Sequence, residues 1–477
     1  MTLHTIDWAL LGAYLIYMLY LSLKPRKEEM DSMESFLLIG RRLTLPSFIA
    51  TTVSTWYGGI LGVGEYSYKY GISNWLVFGI PYYLGAFIFA MLLSGRANKA
   101  RLMTIPDQIE ATYGTKLGIG SAIYVFMMIV PAAYVLMFGI MLKLLFGWSL
   151  LTGVVVGTIV STFYVFLGGF KADVRSDRLN FILMFSSFAT ILFLLVNRFG
   201  GLDYIVSHVP VESLQWHGGN SAGYIFSWYF IALSALIEPS FYQRAYAAES
   251  PKVARAGILL SIPFWILFDF MTTSVGLYSR AVLGPDIPGA DAFPLLADKI
   301  LPFGFKAIML IGMLATIQST VDSYTVLTAS TLSHDILYKS KLVVNWIKEV
   351  WLTRIALIVS GILATTIAML SGSVIDIWNR IGSLGTPGLM LPLALSYFPR
   401  LAYRKFWAGL TMILAPVVVG GWFIVRDRSV EPSFPFSVEP IYVGIGLALA
   451  ILALDHGSRR IFGLPSRKPE SSTDKTL

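Results

Sequence analysis

Apolar and polar positions alternate along this chain on a long scale: hydrophobic runs of membrane length separated by short polar segments. Thirteen stretches hold about 20 mostly apolar residues each, the length a helix needs to cross a bilayer. Their approximate limits are 6–23, 44–68, 73–95, 117–142, 148–168, 177–198, 221–240, 256–280, 303–332, 351–371, 374–397, 404–425 and 439–456. Helix is predicted for all of them, because lipid offers the backbone no partner outside its own segment. The pattern is that of an all-α integral membrane protein with about 13 transmembrane helices.

Composition agrees. Of 477 residues, 56% are hydrophobic and only 13% charged, and the mean hydropathy is +0.68. Soluble domains carry about 25% charged residues, so a cytosolic enzyme and a disordered chain are excluded. There is no cysteine, which excludes disulfides and thiolate metal sites. Five scattered histidines make no metal-ligand spacing. The net charge of +8 reads as basic cytoplasmic loops rather than nucleic-acid binding.

Charge also orients the spans. With the N-terminus outside and the C-terminus cytoplasmic, 27 Lys/Arg fall on cytoplasmic segments and 8 on outer ones, alternating along the chain. Lys24-Arg26-Lys27, Lys171-Arg175-Arg178 and Arg459-Arg460 are examples. The first apolar run is not a cleavable signal, because its basic cluster follows it. The expected organisation is one transmembrane domain over 1–465 and a short polar cytoplasmic tail over 466–477, in the plasma (inner) membrane.

Two spans carry unusual chemistry. Span two reads Thr51-Thr52-Val53-Ser54-Thr55-Trp56-Tyr57-Gly58-Gly59, then Gly62 and Gly64. Such a run makes a poor continuous helix. Unwound backbone at membrane depth lines a cavity, where carbonyls hold a cation and half-helix ends hold a solute. Close helix packing through small residues is the equal alternative. Span nine reads Ala315-Thr316-Ile317-Gln318-Ser319-Thr320-Val321-Asp322-Ser323, placing a stripe of hydroxyls around one side of the helix. Hydroxyl and carbonyl oxygens suit a weak, releasable site for sodium, a hard cation. Hydrogen bonding between helices is the bland reading, against which Asp322 weighs, since intramembrane carboxylates are usually functional. Glu65, Asp177, Glu238, Asp269, Asp376 and Arg380 also lie at membrane depth. Asp376 and Arg380, four apart, either pair with each other or leave Arg380 to reach a substrate carboxylate.

These segments, taken in order, resemble the sodium:solute symporter family. The resemblance rests on Phe36 to Arg41, on Thr104-x-Pro106-Asp107 with Tyr113-Gly114, and on Gly168-Gly169-Phe170-Lys171-Ala172 with Asp177. It rests further on Gln243-Arg244-Ala245-Tyr246-Ala247-Ala248 with Ala254-Arg255-x-Gly257, and on Ser319-Thr320-Val321-Asp322-Ser323 with Ser330 and Asp335-Ile336. It covers roughly residues 36 to 340, and each motif alone is weak. It departs from the family at Gln318 and Asn180.

The resemblance implies an inverted-repeat amino-acid-transporter fold. Its 5+5 core would comprise 43–200 and 215–398, with broken first and sixth core helices, one extra N-terminal helix and two extra C-terminal helices over 404–456. It implies a sodium site from the carbonyls of Thr52, Thr55 and Thr316 and the hydroxyls of Ser319 and Thr320. It implies a possible second sodium site at Asp177, Asp322 and Ser323. The function implied is sodium-coupled symport of a small organic solute into the cell, with no cofactor besides the sodium ion; nothing in the sequence demands more than one chain, so a monomer is expected. Solute-binding candidates are Trp56, Tyr57, Glu65, Tyr134, Tyr224, Trp228, Ser234 and Arg380. Glu65 with Arg380 leans the solute toward an organic acid or amino acid. A proton-coupled or facilitative carrier and a non-transporting sensor are the alternatives. A channel, a membrane enzyme and an ATP-driven pump lack subunit-ring, catalytic-cluster and phosphate-loop signals respectively.

Overall fold

The computed structural model describes residues 1–22, 33–340, 349–371, 373–429 and 434–461. The basic cluster Lys24-Arg26-Lys27 and the tail from Ser466 lie outside the described residues. Among those residues the chain is all helix, apart from one isolated bridge between Leu43 and Ala248.

In chain order the principal helices are α1 (Thr5–Ser22), α2 (Leu45–Trp56), α3 (Ile60–Tyr70), α4 (Trp75–Ala100), α5 (Ile105–Tyr113), α6 (Thr115–Ile129), α7 (Ala132–Phe146) and α8 (Leu150–Phe199). Then follow α9 (Ala222–Ile231), α10 (Pro239–Ala247), α11 (Pro251–Leu283), α12 (Phe305–Ser330), α13 (Glu349–Ser371), α14 (Val374–Ser396), α15 (Lys405–Arg428) and α16 (Pro440–Ile461).

Nine helical runs among the described residues are long and apolar enough to cross a membrane, and two shorter ones, Thr5–Leu21 and Leu150–Phe163, are also apolar. The remaining two stretches read from the sequence are the α2/α3 pair and α14. One is interrupted, and the other carries Asp376, Arg380, Pro387 and Pro392. Each of the thirteen stretches is therefore helical, but the element boundaries differ. Spans five and six merge into α8, 50 residues of unbroken helix. At 1.5 Å per residue that is about 75 Å of helix, more than twice a hydrocarbon core of about 30 Å.

Three interruptions shape the centre. Between α2 and α3 the backbone tightens to a 3-10 turn at Tyr57–Gly59. The two glycines there are also points of contact. A Cβ on Gly58 would lie 1.8 Å from Thr320 Oγ1, and one on Gly59 2.2 Å from the Trp378 ring. Helix break and close packing, alternatives in the sequence, coincide here. Between α9 and α10 the chain passes through a 3-10 turn, Ala232–Ile237, and an extended Glu238. The residue before a proline avoids the helical region, so Glu238-Pro239 ends one segment and starts the next. The Glu238 carboxylate accepts the Ser240 N–H and caps α10. Val130, extended before Pro131, separates α6 from α7.

The helix α12 is buried along nearly its whole length and packs most extensively on α8. Its hydroxyls therefore face protein rather than lipid. Leu43 donates its N–H to Ala247 O and accepts from Glu249 N, strapping the approach to α2 against the end of α10.

Candidate functional site

The C-terminal end of α2 meets the middle of α12 through oxygens. Thr320 Oγ1 donates to the carbonyl of Thr55 at 2.5 Å and lies 3.3 Å from the carbonyl of Thr316. The Thr55 hydroxyl is 3.3 Å from Ser319 Oγ and 3.2 Å from Ser323 Oγ. The Thr52 hydroxyl is buried with no hydrogen-bond partner among the described residues. Of the five residues that the sequence grouped as a first sodium site, Thr55, Thr316, Ser319 and Thr320 thus meet where α2 crosses α12, and Thr52 lies one turn before Thr55 on α2. They are oxygen-rich and carry no carboxylate, a donor set for a hard monovalent cation.

Beside this cluster lies a buried charge network. Asp177 of α8 accepts hydrogen bonds from Ser319, at 2.5 Å, and from Thr51. Asp173, one turn earlier, accepts from Ser323. Arg244 of α10 enters from the other side. Its Nη2 lies 2.6 Å from Thr55 Oγ1, 2.8 Å from Thr51 Oγ1, 3.0 Å from Ser323 Oγ and 3.8 Å from Asp177. Arg244 and Asp177 are both fully buried. Asp322 is held by Gln318 Nε2 at 2.6 Å instead, and its other oxygen has no hydrogen-bond partner among the described residues. The carboxylate on Ser323 is therefore Asp173 rather than Asp322, and the cation already among these groups is the guanidinium.

Immediately beyond the break is a cavity of about 150 Å³. Cavities of about this volume accept a benzene-sized guest. Trp56, Tyr57, Phe78 and Tyr82 line one part of it, and Tyr134, Tyr324 and Trp378 another. Trp56 is wedged between the Phe241 ring, stacked at 5.1 Å, and Tyr82, edge-on at 5.4 Å. Tyr134 meets Tyr324 edge-on at 5.1 Å. Ser234, Glu238 and Asp269 are the polar lining groups other than tyrosine and tryptophan. Asp269 accepts from Tyr83, and Glu238 Oε1 accepts from Tyr324 at 3.0 Å.

Of the solute-binding candidates, Trp56, Tyr57, Tyr134 and Ser234 line this cavity. The other four stand elsewhere. Glu65 pairs with Lys69 at 2.6 Å. Arg380 forms a two-pronged pair with Asp427 of α15, at 3.0 and 3.3 Å, with both side chains 42% exposed. It binds neither Asp376 nor any group of the cavity. Trp228 packs against Phe78 and Tyr224 in a separate aromatic cluster with Ile441 and Ile445. Thr51, Asp173, Tyr82, Tyr324 and Trp378 were not singled out from the sequence. For Asp173 a signal existed: its four-residue spacing from Asp177 puts both on one helix face.

A family model for the sodium:solute symporter family matches residues 36–401. The chain belongs to that family. It is 24% identical to the osmoregulated proline transporter OpuE of Bacillus subtilis over 95% of this chain and 96% of that one. It is 23% identical to a sodium/proline symporter of Haemophilus influenzae, over 89% and 90% of the two chains. In three dimensions it resembles a Na⁺-coupled sialic acid symporter captured substrate-bound and outward-open, with TM-score 0.78, 15% identity, and 98% and 100% of the chains covered. This last likeness shows the fold. A member of this family is a multi-pass membrane transporter that carries a small solute with sodium, and not an enzyme.

Proposed function

We propose that the protein moves its solute inward by alternating access, with sodium held between α2 and α12. Its ligands are the carbonyls of Thr52, Thr55 and Thr316 and the hydroxyls of Ser319 and Thr320. The hydrogen bond from Thr320 to the Thr55 carbonyl carries this reading. It joins one oxygen from each helix, and a cation between them lets both oxygens turn their lone pairs inward. Sodium then fastens the interrupted helix to α12 while the solute occupies the cavity beside the break. Release of the ion frees α2 to move.

Asp177 and Ser323 are the remaining candidates for a second sodium site, and Arg244 supplies positive charge among them. That favours one sodium per solute. Charge moving through about 100 mV contributes about 2.3 kcal/mol per ion, and a tenfold sodium gradient about 1.4 kcal/mol. Together they support accumulation of several hundredfold.

The topology is thirteen spans in the plasma (inner) membrane, N-terminus outside and C-terminus cytoplasmic, acting as a monomer. The charge alternation supports it. Two halves, 43–200 and 215–398, each open on an interrupted helix, as inverted repeats would.

The test is thermal stability of the purified protein titrated with sodium or with potassium. Sodium should stabilise, potassium should not, and Ser319→Ala or Thr320→Ala should remove the response. Equal stabilisation by potassium, or an unchanged response in both variants, would show that the site is wrong.

A further inference from the structure

We infer that the solute carries a positively charged ammonium group and that Glu238 is its anchor. This rests on the reading of the cavity beside the α2/α3 break as the solute site. Three observations carry it.

The first is charge. Glu238 and Asp269 are the ionisable carboxylates on the cavity wall, and among the described residues no lysine, arginine or histidine lines it. Arg380, which would have received a solute carboxylate, is bound to Asp427 at the periphery. Arg244, on the helix that Glu238 caps, is turned to the hydroxyls of α2 and α12. An anion in this cavity would meet two carboxylates and no basic side chain. The positive end of α10, the usual alternative receptor for an anion, is already capped by Glu238 itself.

The second is how Glu238 is held. Its Oε1 accepts from Ser240 N–H and from the Tyr324 hydroxyl. Both of these bonds fall on Oε1, and the Ser240 side chain also lies beside the carboxylate. The two bonds on Oε1 fix the carboxylate at the extended link between α9 and α10, where it lines the cavity. Asp269, the other carboxylate on the wall, accepts from the Tyr83 hydroxyl through Oδ2.

The third is the wall. Trp56, Tyr82, Tyr134, Tyr324 and Trp378 surround the space with aromatic rings. The negative face of an aromatic ring attracts a desolvated cation, tryptophan most strongly. An aromatic wall that also holds a carboxylate suits a compact ammonium head better than a neutral or acidic group. The cavity volume admits a five-membered ring or a trimethylammonium group.

The experiment holds shape nearly constant and varies charge. Binding to the purified full chain in saturating sodium is measured for pyrrolidine (ammonium only), L-proline (ammonium and carboxylate), cyclopentanecarboxylate (carboxylate only) and choline (quaternary ammonium). The expected result is that pyrrolidine or choline binds at least tenfold more tightly than cyclopentanecarboxylate, and that L-proline binds no more tightly than pyrrolidine. Glu238→Gln keeps an acceptor for Ser240 and should reduce the preference for the cation tenfold or more. Trp378→Leu, which leaves Glu238 in place, should weaken the cations and not the anion. L-Proline binding tenfold more tightly than pyrrolidine, or cyclopentanecarboxylate binding best, would mean that a carboxylate is recognised and overturns the inference. So would an unchanged cation preference in Glu238→Gln. Failure of both cations while sodium still stabilises the protein also overturns it and leaves sodium coupling intact. Loss of the sodium response itself would count against the transport site instead.

Discussion

Gly58→Ala places a methyl group inside the proposed sodium site without altering any proposed ligand. Its Cβ would lie 1.8 Å from Thr320 Oγ1, 2.1 Å from Thr320 Cβ and 2.8 Å from Thr320 Cγ2. Relief requires a displacement of more than 1 Å, because ordinary contacts begin near 3.4 Å. Both neighbours are backbone-anchored at a helix crossing, so the side chain cannot simply swing away. Overpacking of this kind destabilises by about 1–3 kcal/mol. The hydroxyl leaves the Thr55 carbonyl at the same time, and a neutral hydrogen bond of this kind is worth about 0.5–1.5 kcal/mol. A loss of about 1.4 kcal/mol corresponds to a sodium affinity about tenfold weaker. The assay is thermal stability against sodium concentration. At a sodium level about 100 times the wild-type dissociation constant, the ion stabilises by about 2.7 kcal/mol, and a tenfold weaker site retains about 1.4 kcal/mol. Gly12→Ala is the control, since its Cβ meets nothing within 4 Å. Gly58→Ala combined with Thr320→Gly should recover folding but not the sodium response, which separates the clash from the ligation. If Gly58→Ala responds to sodium with the wild-type midpoint, the oxygens between α2 and α12 are not the sodium site.

Three other perturbations follow from the geometry. Arg244→Gln leaves Asp173 and Asp177 buried without their counter-charge and should destabilise by about 3–5 kcal/mol, as removing one partner of a buried pair does; a melting temperature within error of wild type would refute the network. Lys339 sits within reach of Asp107, Glu110, at 3.0 Å, and Asp335, at 3.2 Å. Its charge and that of His334 hold the Asp107 carboxyl below the usual range despite burial, while the carboxylates raise the Lys339 ammonium. The Asp107 contribution is therefore present above its unfolded pKa of about 3.9 and lost as pH falls through its lower folded value, and the Lys339 contribution is present below about 10.4 and lost above its raised value. Lys339→Met should lower stability by about 1–2 kcal/mol at pH 7, less than a fully buried pair, and the difference from wild type should narrow in strong acid; a gap constant with pH would refute it. Arg380→Ala should leave sodium-dependent binding of the solute unchanged and cost about 1 kcal/mol or less, since its ion pair is half exposed; abolished binding would return Arg380 to the solute site.

Legibility in the sequence followed the strength of the local signal. The apolar runs predicted the helices because length and hydropathy alone decide them. The glycine-rich break and the hydroxyl stripe were readable because each violates the habits of a lipid-facing helix within a few residues. Asp173 and Arg244 were missed as site residues for one reason. Both lie just outside the apolar runs, so hydropathy assigns them to cytoplasmic loops, yet α8 and α10 carry them inward as buried helix. The lining aromatics were harder still. In a chain with 14% aromatic residues, which rings face the cavity depends on helix rotation and on partners far away in sequence. Trp378 is set against Gly59 and Trp228 against Phe78 by tertiary packing that no local pattern encodes. Arg380 misled because a charge at membrane depth reads as functional, while its partner, Asp427, lies 47 residues on.

The same break also bears on how sodium and solute act on each other. The Thr55 carbonyl accepts from Thr320 and is a ligand in the proposed cation site, and Trp56, the next residue, lines the cavity. Ordering this one turn for either ligand prepares it for the other, so each should tighten the other's binding by the same factor. Electrostatics opposes this for a cationic solute. Two unit charges about 10 Å apart at an effective dielectric near 20 repel by about 1.7 kcal/mol. Buried carboxylates, when ionised, would offset that repulsion. Asp173, Asp177 and Asp322 outnumber Arg244 on the sodium side, and Glu238 stands on the cavity side. This excess of acidic over basic side chains would let the proposed centre hold two cations at once.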